Sequence, residues 1–450
     1  MLASVLGVQA QEADEALQFD VALTCAADDS TAQVIARELT AILGRTVRSV
    51  KLNATIETAA VEVVVGNSNP RSALQTLFVG VEQERAVIGG DPLSAPCADV
   101  APIFTVLIAC YASAAVLHRV FGDRLPFSVP AVLIIPFAEF GLDARDLRAP
   151  IDVGRTHLAG AGAIGNGFLW AARHLDLRGE LLIADDDTVS AGNLNRQMWF
   201  SADDVGKSKA ERLALRAQPS FTNLKLNPQP QRLQDLPERS DGPWLKRLLV
   251  AVDSRRARRK LQNEFPGEVF DASTTDIREV VVHYHKQPAA NACLSCIYEP
   301  DEQEMTREAH IAEHLGVSVD EVRKERVSPE SAAVISARFQ QLDERSIVGV
   351  AYDTLFKQLC GAQELRSLEG RRVVAPFAFA SVLAGTLLAL ELVRRLGEDR
   401  SQTPDNYWRV SPWHPPLSRR RIRRPKEPHC EFCGDRLLAG VNRQLWGPKN

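Results

Sequence analysis

Gly160, Gly162 and Gly165 follow the apolar run His157-Leu158-Ala159 in a Gly-x-Gly-x-x-Gly spacing. Glycines so placed permit a tight turn, let backbone approach a phosphate, and let the next helix pack closely on its sheet. The start of that helix then offers unpaired N–H groups and a partial positive charge to an anion. A glycine-rich turn with no ligand fits the same spacing, so the glycines alone leave nucleotide binding open.

The residues downstream narrow the choice. Asp185, Asp186 and Asp187 end the next strand candidate, Glu180 to Ala184. A carboxylate about twenty positions beyond the glycines is placed to accept hydrogen bonds from a ribose. Three adjacent carboxylates repel one another, and a metal or sugar hydroxyls relieve that repulsion. Arg196 offers a planar fork of donors suited to phosphate oxygens. Lys207 and Lys209 stand where a helix starts after Gly206 and supply point charges for a triphosphate. The buried-strand candidate Leu248 to Val252 ends in Asp253. A carboxylate at the C-terminal edge of a parallel strand faces the ligand crevice, where its oxygens suit Mg²⁺. Each residue taken singly reads as a surface charge; their joint order reads as a site.

The run Asp185-x-Asp187-x-Val189-x-x-x-Asn193-Leu194-x-Arg196-Gln197, with the glycines before it, resembles the signature of ubiquitin-activating E1 enzymes and of their bacterial relatives, the ThiF and MoeB adenylyltransferases. Lys209 lies at the family's spacing beyond the arginine, and Asp253-Ser254 with Arg258 looks like its Asp-Asn element. The match is close over about residues 150 to 300. Gly192 stands where the family usually has Ser, and Ser254 where it usually has Asn. The resemblance implies a Rossmann-like ThiF/E1 adenylation domain of α/β class that binds ATP. Asp185 would hold the ribose, Asn193, Arg196 and Lys209 the phosphates, and Asp253 Mg²⁺, with Asp187 and Gln197 in the same signature. A carboxylate at the C-terminus of a ubiquitin-like protein would attack the α-phosphate and release pyrophosphate, a reaction served by positioning and charge neutralisation.

Cys293-x-x-Cys296 and Cys430-x-x-Cys433 supply four thiolates, the ligand set of a structural Zn²⁺ site; a redox pair is the competing reading. Cys25, Cys97, Cys110 and Cys360 remain. A thioester-forming enzyme needs an accessible thiol. The resemblance implies one near a crossover segment, which favours Cys360, although free cysteines are usually buried and inert.

These residues need elements to hold them. Strand, helix and strand from Arg155 to Ala184 make a βαβ unit with a parallel sheet. Residues 1–148 also read as α/β, with strands at Phe19 to Cys25 and Val61 to Val65 and a helix over Thr31 to Leu43 capped by Ser30, but they carry no glycine fingerprint. Ala101-Pro102-Ile103-Phe104 and Ala375-Pro376-Phe377 each open an apolar helix that ends in arginine and glycine, an echo that makes the first half a degenerate copy of the second, or two Ala-rich core helices alike by chance. The expected organisation is an inactive adenylation-like domain at 1–148, an active one at 149–300 and 371–400, a charged helical insertion at 301–370 that carries Cys360, and an extended tail at 401–450 with the second cysteine pair. That layout, an intrachain pseudo-dimer with a homodimer as the alternative, resembles the E1 of bacterial ubiquitin-like (Bil-type) conjugation operons linked to antiviral defence. It implies a ubiquitin-like substrate and an E2 partner. The rival is a sulfur-carrier adenylyltransferase that needs no E2.

Composition agrees with a globular enzyme. Of 450 residues, 45% are hydrophobic and 24% charged, with a net charge of -4, which argues against nucleic acid as a partner. The basic run Arg419 to Lys426 reads as a solvated segment or as a docking surface for an acidic partner. The apolar runs Pro102 to Val120 and Val373 to Leu390 read as buried helices rather than membrane spans, and Met1 to Val5 carries no basic lead of a signal peptide, so a cytoplasmic location is expected.

Overall fold

The computed structural model describes residue 6 and residues 10–448, apart from 55–57, 73–74, 238–242, 276, 289, 301, 341, 351, 353–354, 357–358, 360–376 and 398–403. Cys360 and Met1 to Val5 therefore lie outside the described residues. The chain divides into two compact units, Ala13–Tyr298 with Pro376–Asn450, and Met1–Glu12 with Glu299–Ala375.

In the larger unit, β-branched and apolar runs form two mixed sheets. The first contains β1 (Asp20–Cys25), β2 (Ser49–Leu52), β3 (Val61–Val65), β4 (Thr76–Glu82), β5 (Arg85–Gly89) and β6 (Leu133–Pro136), in the order β2-β1-β3-β4-β5-β6. The second contains β7 (Ile151–Ala159), β8 (Leu177–Ala184), β9 (Leu224–Gln229), β10 (Arg247–Val250), β11 (Glu268–Thr274), β12 (Val280–Lys286), β13 (Tyr407–Val410) and β14 (Arg421–Ile422), in the order β14-β13-β12-β11-β10-β7-β8-β9. The two share one plan. β2-β1-β3-β4 are parallel, and β5 and β6 join antiparallel. β8-β7-β10-β11 are parallel in the same way, and β12 and β13 join antiparallel. An apolar helix stands between the last two strands of each set, Pro102–Phe121 in the first and Ala378–Leu396 in the second. The echo between those helices is thus matched strand for strand.

Ala378–Leu396 packs on both Pro102–Phe121 and Ala163–Ala172. Its crossing with Ala163–Ala172 depends on two glycines. A Cβ at Gly385 would stand 2.1 Å from the Phe168 N, and one at Gly167 would stand 2.7 Å from the Ser381 O. The helix behind the glycine loop is thereby held backbone to backbone. Among the described residues one helical stretch, Pro102–Arg124, is long and apolar enough to cross a membrane, and 83% of its most apolar window is buried inside the protein.

Two sequence expectations change. Asp29, not Ser30, caps Ser30–Leu43, because its carboxylate accepts from Ala32 N at 2.8 Å and also from Cys97 N at 2.7 Å. Residues 401–450 are not an extended tail: β13 and β14 complete the second sheet, and Arg436–Trp446 is a helix. His283 and His285, two residues apart on β12, are both buried, with ring centroids 5.2 Å apart. The smaller unit is helical over Glu302–Leu315, Val319–Arg323, Pro329–Arg338 and Glu344–Ile347, around a core that includes Leu315, Ile335 and Tyr352.

A buried charge cluster fixes β13 and β14 to the long helix. Glu391 accepts from Arg395 Nε at 2.7 Å, Arg421 Nη1 at 3.0 Å and Arg394 Nη1 at 3.2 Å. Burial alone would raise this carboxyl, yet Arg395, Arg421 and Arg394 draw it down to about 2 from 4.5. A depressed folded pKa contributes stability above the unfolded value and loses it as pH falls through the folded one. Glu391→Gln is therefore expected to cost about 3 kcal/mol near neutral pH. The gap from the parent should close between pH 4.5 and about 2, as read from urea midpoints against pH.

Candidate active site

The strand order of the second sheet reverses between β7 and β10, and the crevice at the carboxyl ends of strands at such a switch is where doubly wound sheets take ligands. Gly160 follows β7 with φ +103, and a Cβ there would meet the Ala251 O at 2.8 Å, so the loop lies directly against the end of β10. Helix Ala163–Ala172 starts with Gly162 as its cap, without a capping side chain, and a Cβ on Gly162 would enter open space. That open N-terminus is what a phosphate needs.

Asp185, at the end of β8, accepts from Ala161 N at 2.6 Å and from Asp187 N at 2.9 Å. Burial raises its pKa, a push opposed by the Lys209 charge and reinforced by Asp187. Lys209 opens helix Lys209–Ala217, is 9% exposed, and gives its Nζ to Asp187 at 2.8 Å. Burial lowers its pKa, but the charges of Asp185, Asp187 and Asp253 outweigh burial and keep it raised. Asp253 is exposed beyond β10, in a turn reached through the Ala251 N to Ala159 O bond of 2.9 Å. Its charge acts on both Lys209 and Arg196. Burial lowers the Arg196 pKa, and Asp253 opposes that. Four of the residues expected from the sequence, Asp185, Arg196, Lys209 and Asp253, thus share one crevice with Asp187.

Between them, residues 190–200 form a tight loop. Asn193 accepts from Ser190 N at 3.0 Å through its side chain, which makes it a turn-former as well as a candidate ligand. Arg196 Nη1 donates to the Gly192 O at 2.7 Å and to Asn195 Oδ1 at 2.9 Å. Gln197 is buried, and its Oε1 has no hydrogen-bond partner among the described residues. Ser254 does the capping its place requires, accepting from Ala257 N at 3.2 Å.

Two residues escaped the sequence reading. Asn166 is fully buried; its Nδ2 donates to Ala161 O and Gly162 O at 2.9 and 3.0 Å, and its Oδ1 accepts from Trp199 N at 3.1 Å. It ties the glycine loop to the Asn193–Phe200 segment. Its signal was present, as the one strongly polar side chain in the apolar helix Ala163–Ala172. Arg45, from the first half, donates to Leu194 O at 2.7 Å, Met198 O at 2.9 Å and Phe200 O at 3.2 Å. Nothing local in the sequence marks it.

Cys293, Cys296, Cys430 and Cys433 bring their sulfurs within 4.8 Å of one another, with Cys293 Sγ 3.3 Å from Cys433 Sγ, 3.7 Å from Cys296 Sγ and 3.8 Å from Cys430 Sγ. Four sulfurs around Zn²⁺ at about 2.3 Å stand about 3.8 Å apart, so the set fits zinc. Hydrogen bonding to Cys293 draws the Cys430 thiol down to about 7. His429 is exposed and outside this group.

A model of the ThiF family matches residues 134–432, well over half of the chain, and the chain belongs to that family of E1-like adenylyltransferases, which use ATP. Its first half is matched over residues 1–143 by the E1 N-terminal domain. An uncharacterized protein y4jF of Sinorhizobium fredii is 29% identical over 75% of this chain and 68% of its own length. The NEDD8-activating enzyme E1 catalytic subunit of Dictyostelium discoideum is 37% identical over 22% of each chain. The ubiquitin-activating enzyme E1 1 of Candida albicans is 40% identical over 75 residues, 16% of this chain and 7% of that one. Among solved structures, E. coli MccB covers 80% of this chain and 98% of its own at 14% identity and a TM-score of 0.38.

Proposed function

We propose that the chain adenylates the C-terminal carboxylate of a ubiquitin-like protein and passes the acyl group through a cysteine thioester to an E2-type partner. The observation that carries the adenylation step is the open glycine loop with Lys209, Arg196 and Asp253 gathered beside it. A carboxylate oxygen of the substrate bonds to the α-phosphorus, and the bond from that phosphorus to the bridging oxygen of pyrophosphate breaks. Lys209 and Arg196 offset the charge on the phosphates, Asp185 takes the ribose, and Asp253 would hold Mg²⁺, which neutralises the leaving group. A thiolate then bonds to the acyl carbon as AMP leaves; Cys360 is the proposed thiol. The ubiquitin-like substrate is favoured over a sulfur carrier by the match of residues 1–143 to the E1 N-terminal domain and by the E1 relatives.

The test incubates the full chain with ATP, Mg²⁺ and a panel of ubiquitin-like proteins. The expected result is pyrophosphate exchange together with an adduct that thiols cleave and that Cys360→Ala loses. Exchange without an adduct would move the reading to the sulfur-carrier chemistry, and an adduct that survives Cys360→Ala would remove Cys360. No exchange with any of the panel would overturn the proposed substrate class.

A further inference from the structure

The turn that carries Asp253 is held from behind by a buried network. Arg258 is 2% exposed. Its Nη2 donates to the Val252 carbonyl, next to Asp253, and to Ala272 O at 3.0 Å, while its Nη1 donates to Asp271. Asp271 is fully buried on β11 and accepts a second bond, from the Tyr298 hydroxyl at 2.5 Å. That hydroxyl also stands 3.0 Å from Ser273 Oγ, and the Tyr298 ring centroid lies 4.9 Å from the Arg258 guanidinium carbon. Arg258 is thus fixed by Asp271 and by the ring at once.

Tyr298 leaves the cysteine knuckle directly, two positions after Cys296. Helix Arg255–Gln262, which starts at the Asp253 turn, is tied to the same knuckle twice more. Arg259 Nη1 donates to Tyr298 O at 2.9 Å, and Leu294 N donates to Gln262 Oε1 at 3.1 Å. The knuckle and the Val252 carbonyl are therefore joined by a continuous chain of buried hydrogen bonds.

We infer that Tyr298 is a positioning residue for the Asp253 carboxylate, acting through Asp271 and Arg258, so that the four-cysteine knuckle sets the geometry of the nucleotide crevice. The inference rests on the reading of Asp253 as the Mg²⁺ holder proposed above. Outer partners that orient a metal ligand change metal affinity when removed. Tyr298→Phe keeps the ring and its packing and removes only the hydroxyl.

The experiment titrates a fluorescent ATP analogue into the full chain with Mg²⁺ and with EDTA, for the parent, Tyr298→Phe, Asp271→Asn and Asp253→Asn, with thermal midpoints alongside. In Tyr298→Phe the Mg²⁺ concentration that half-restores tight binding is expected to rise about tenfold, with binding in EDTA unchanged; Asp253→Asn should lose most of the Mg²⁺-dependent gain. If Asp253→Asn loses that gain and Tyr298→Phe titrates like the parent, the inference is overturned and the Asp253 assignment stands. Equal weakening with and without Mg²⁺ in Tyr298→Phe would also overturn it, as a purely structural effect. If Asp253→Asn keeps the Mg²⁺-dependent gain, the Asp253 assignment fails and takes the inference with it. Should Asp271→Asn fail to fold, Tyr298→Phe alone decides.

Discussion

Lys209→Ala lowers the rate of pyrophosphate exchange by roughly 10²–10³-fold, the scale for losing one preorganised donor to developing charge. The expectation follows from burial and charge together. Lys209 is 9% exposed, and its ammonium stays protonated because Asp185, Asp187 and Asp253 surround it. Its removal deletes a cation from the phosphate region and leaves Asp187 without its 2.8 Å partner. Both effects repel a triphosphate. Lys209→Ala with Asp187→Asn separates them, because neutralising Asp187 relieves the second but not the first. Recovery to the parent rate in the double variant would show that Lys209 only balances Asp187. Exchange rates with thermal midpoints for the parent, Lys209→Ala, Asp187→Asn and the double variant make the comparison.

One equivalent of zinc per chain, measured by elemental analysis of protein purified without added metal, is the second expected result. Cys430→Ser should reduce that to about zero and lower the thermal midpoint by roughly 10 °C or more, since structural zinc contributes its binding energy to folding. The reason is in the connectivity. The Cys293–Cys430 contact of 3.8 Å joins segments 137 residues apart, and the chain then runs into Arg436–Trp446, where Trp446 Nε1 donates to Phe265 O at 2.9 Å. Acid should release the metal, because protons compete with it for thiolates. A chain that purifies free of zinc and melts unchanged in Cys430→Ser would exclude the assignment.

The parts of the site that are legible in the sequence are those that are local. Gly160, Gly162 and Gly165 are needed by a turn closed within a few residues, and Asp185 and Asp253 follow from where strands end. The cysteine pairs announce themselves by ligand spacing. Arg45 does not, because its three carbonyl partners lie 149 to 155 residues away and ask only for a long cation. The cap at Asp29 was missed for a related reason. Serine and aspartate both suit a helix start, and what decides between them is Cys97 N, 68 residues on. The last fifty residues misled through composition. Their prolines and arginines suggest a connector, yet Tyr407, Trp408 and Val410 are apolar enough to close a sheet, and Arg421 is drawn in by Glu391.

The carboxylate of Asp29 has a wider meaning. In the second half the corresponding helix begins at a bare glycine, whereas in the first the same position is plugged by the protein's own anion. A Cβ at Gly66 would stand only 2.7 Å from Asp29 Oδ2, so the glycine there makes room for that carboxylate. Of these two matching helix starts, the second leaves its backbone N–H groups without a side-chain cap and the first does not. On the function proposed above, that asymmetry predicts one nucleotide bound for each chain, a ratio that equilibrium dialysis with labelled ATP would read.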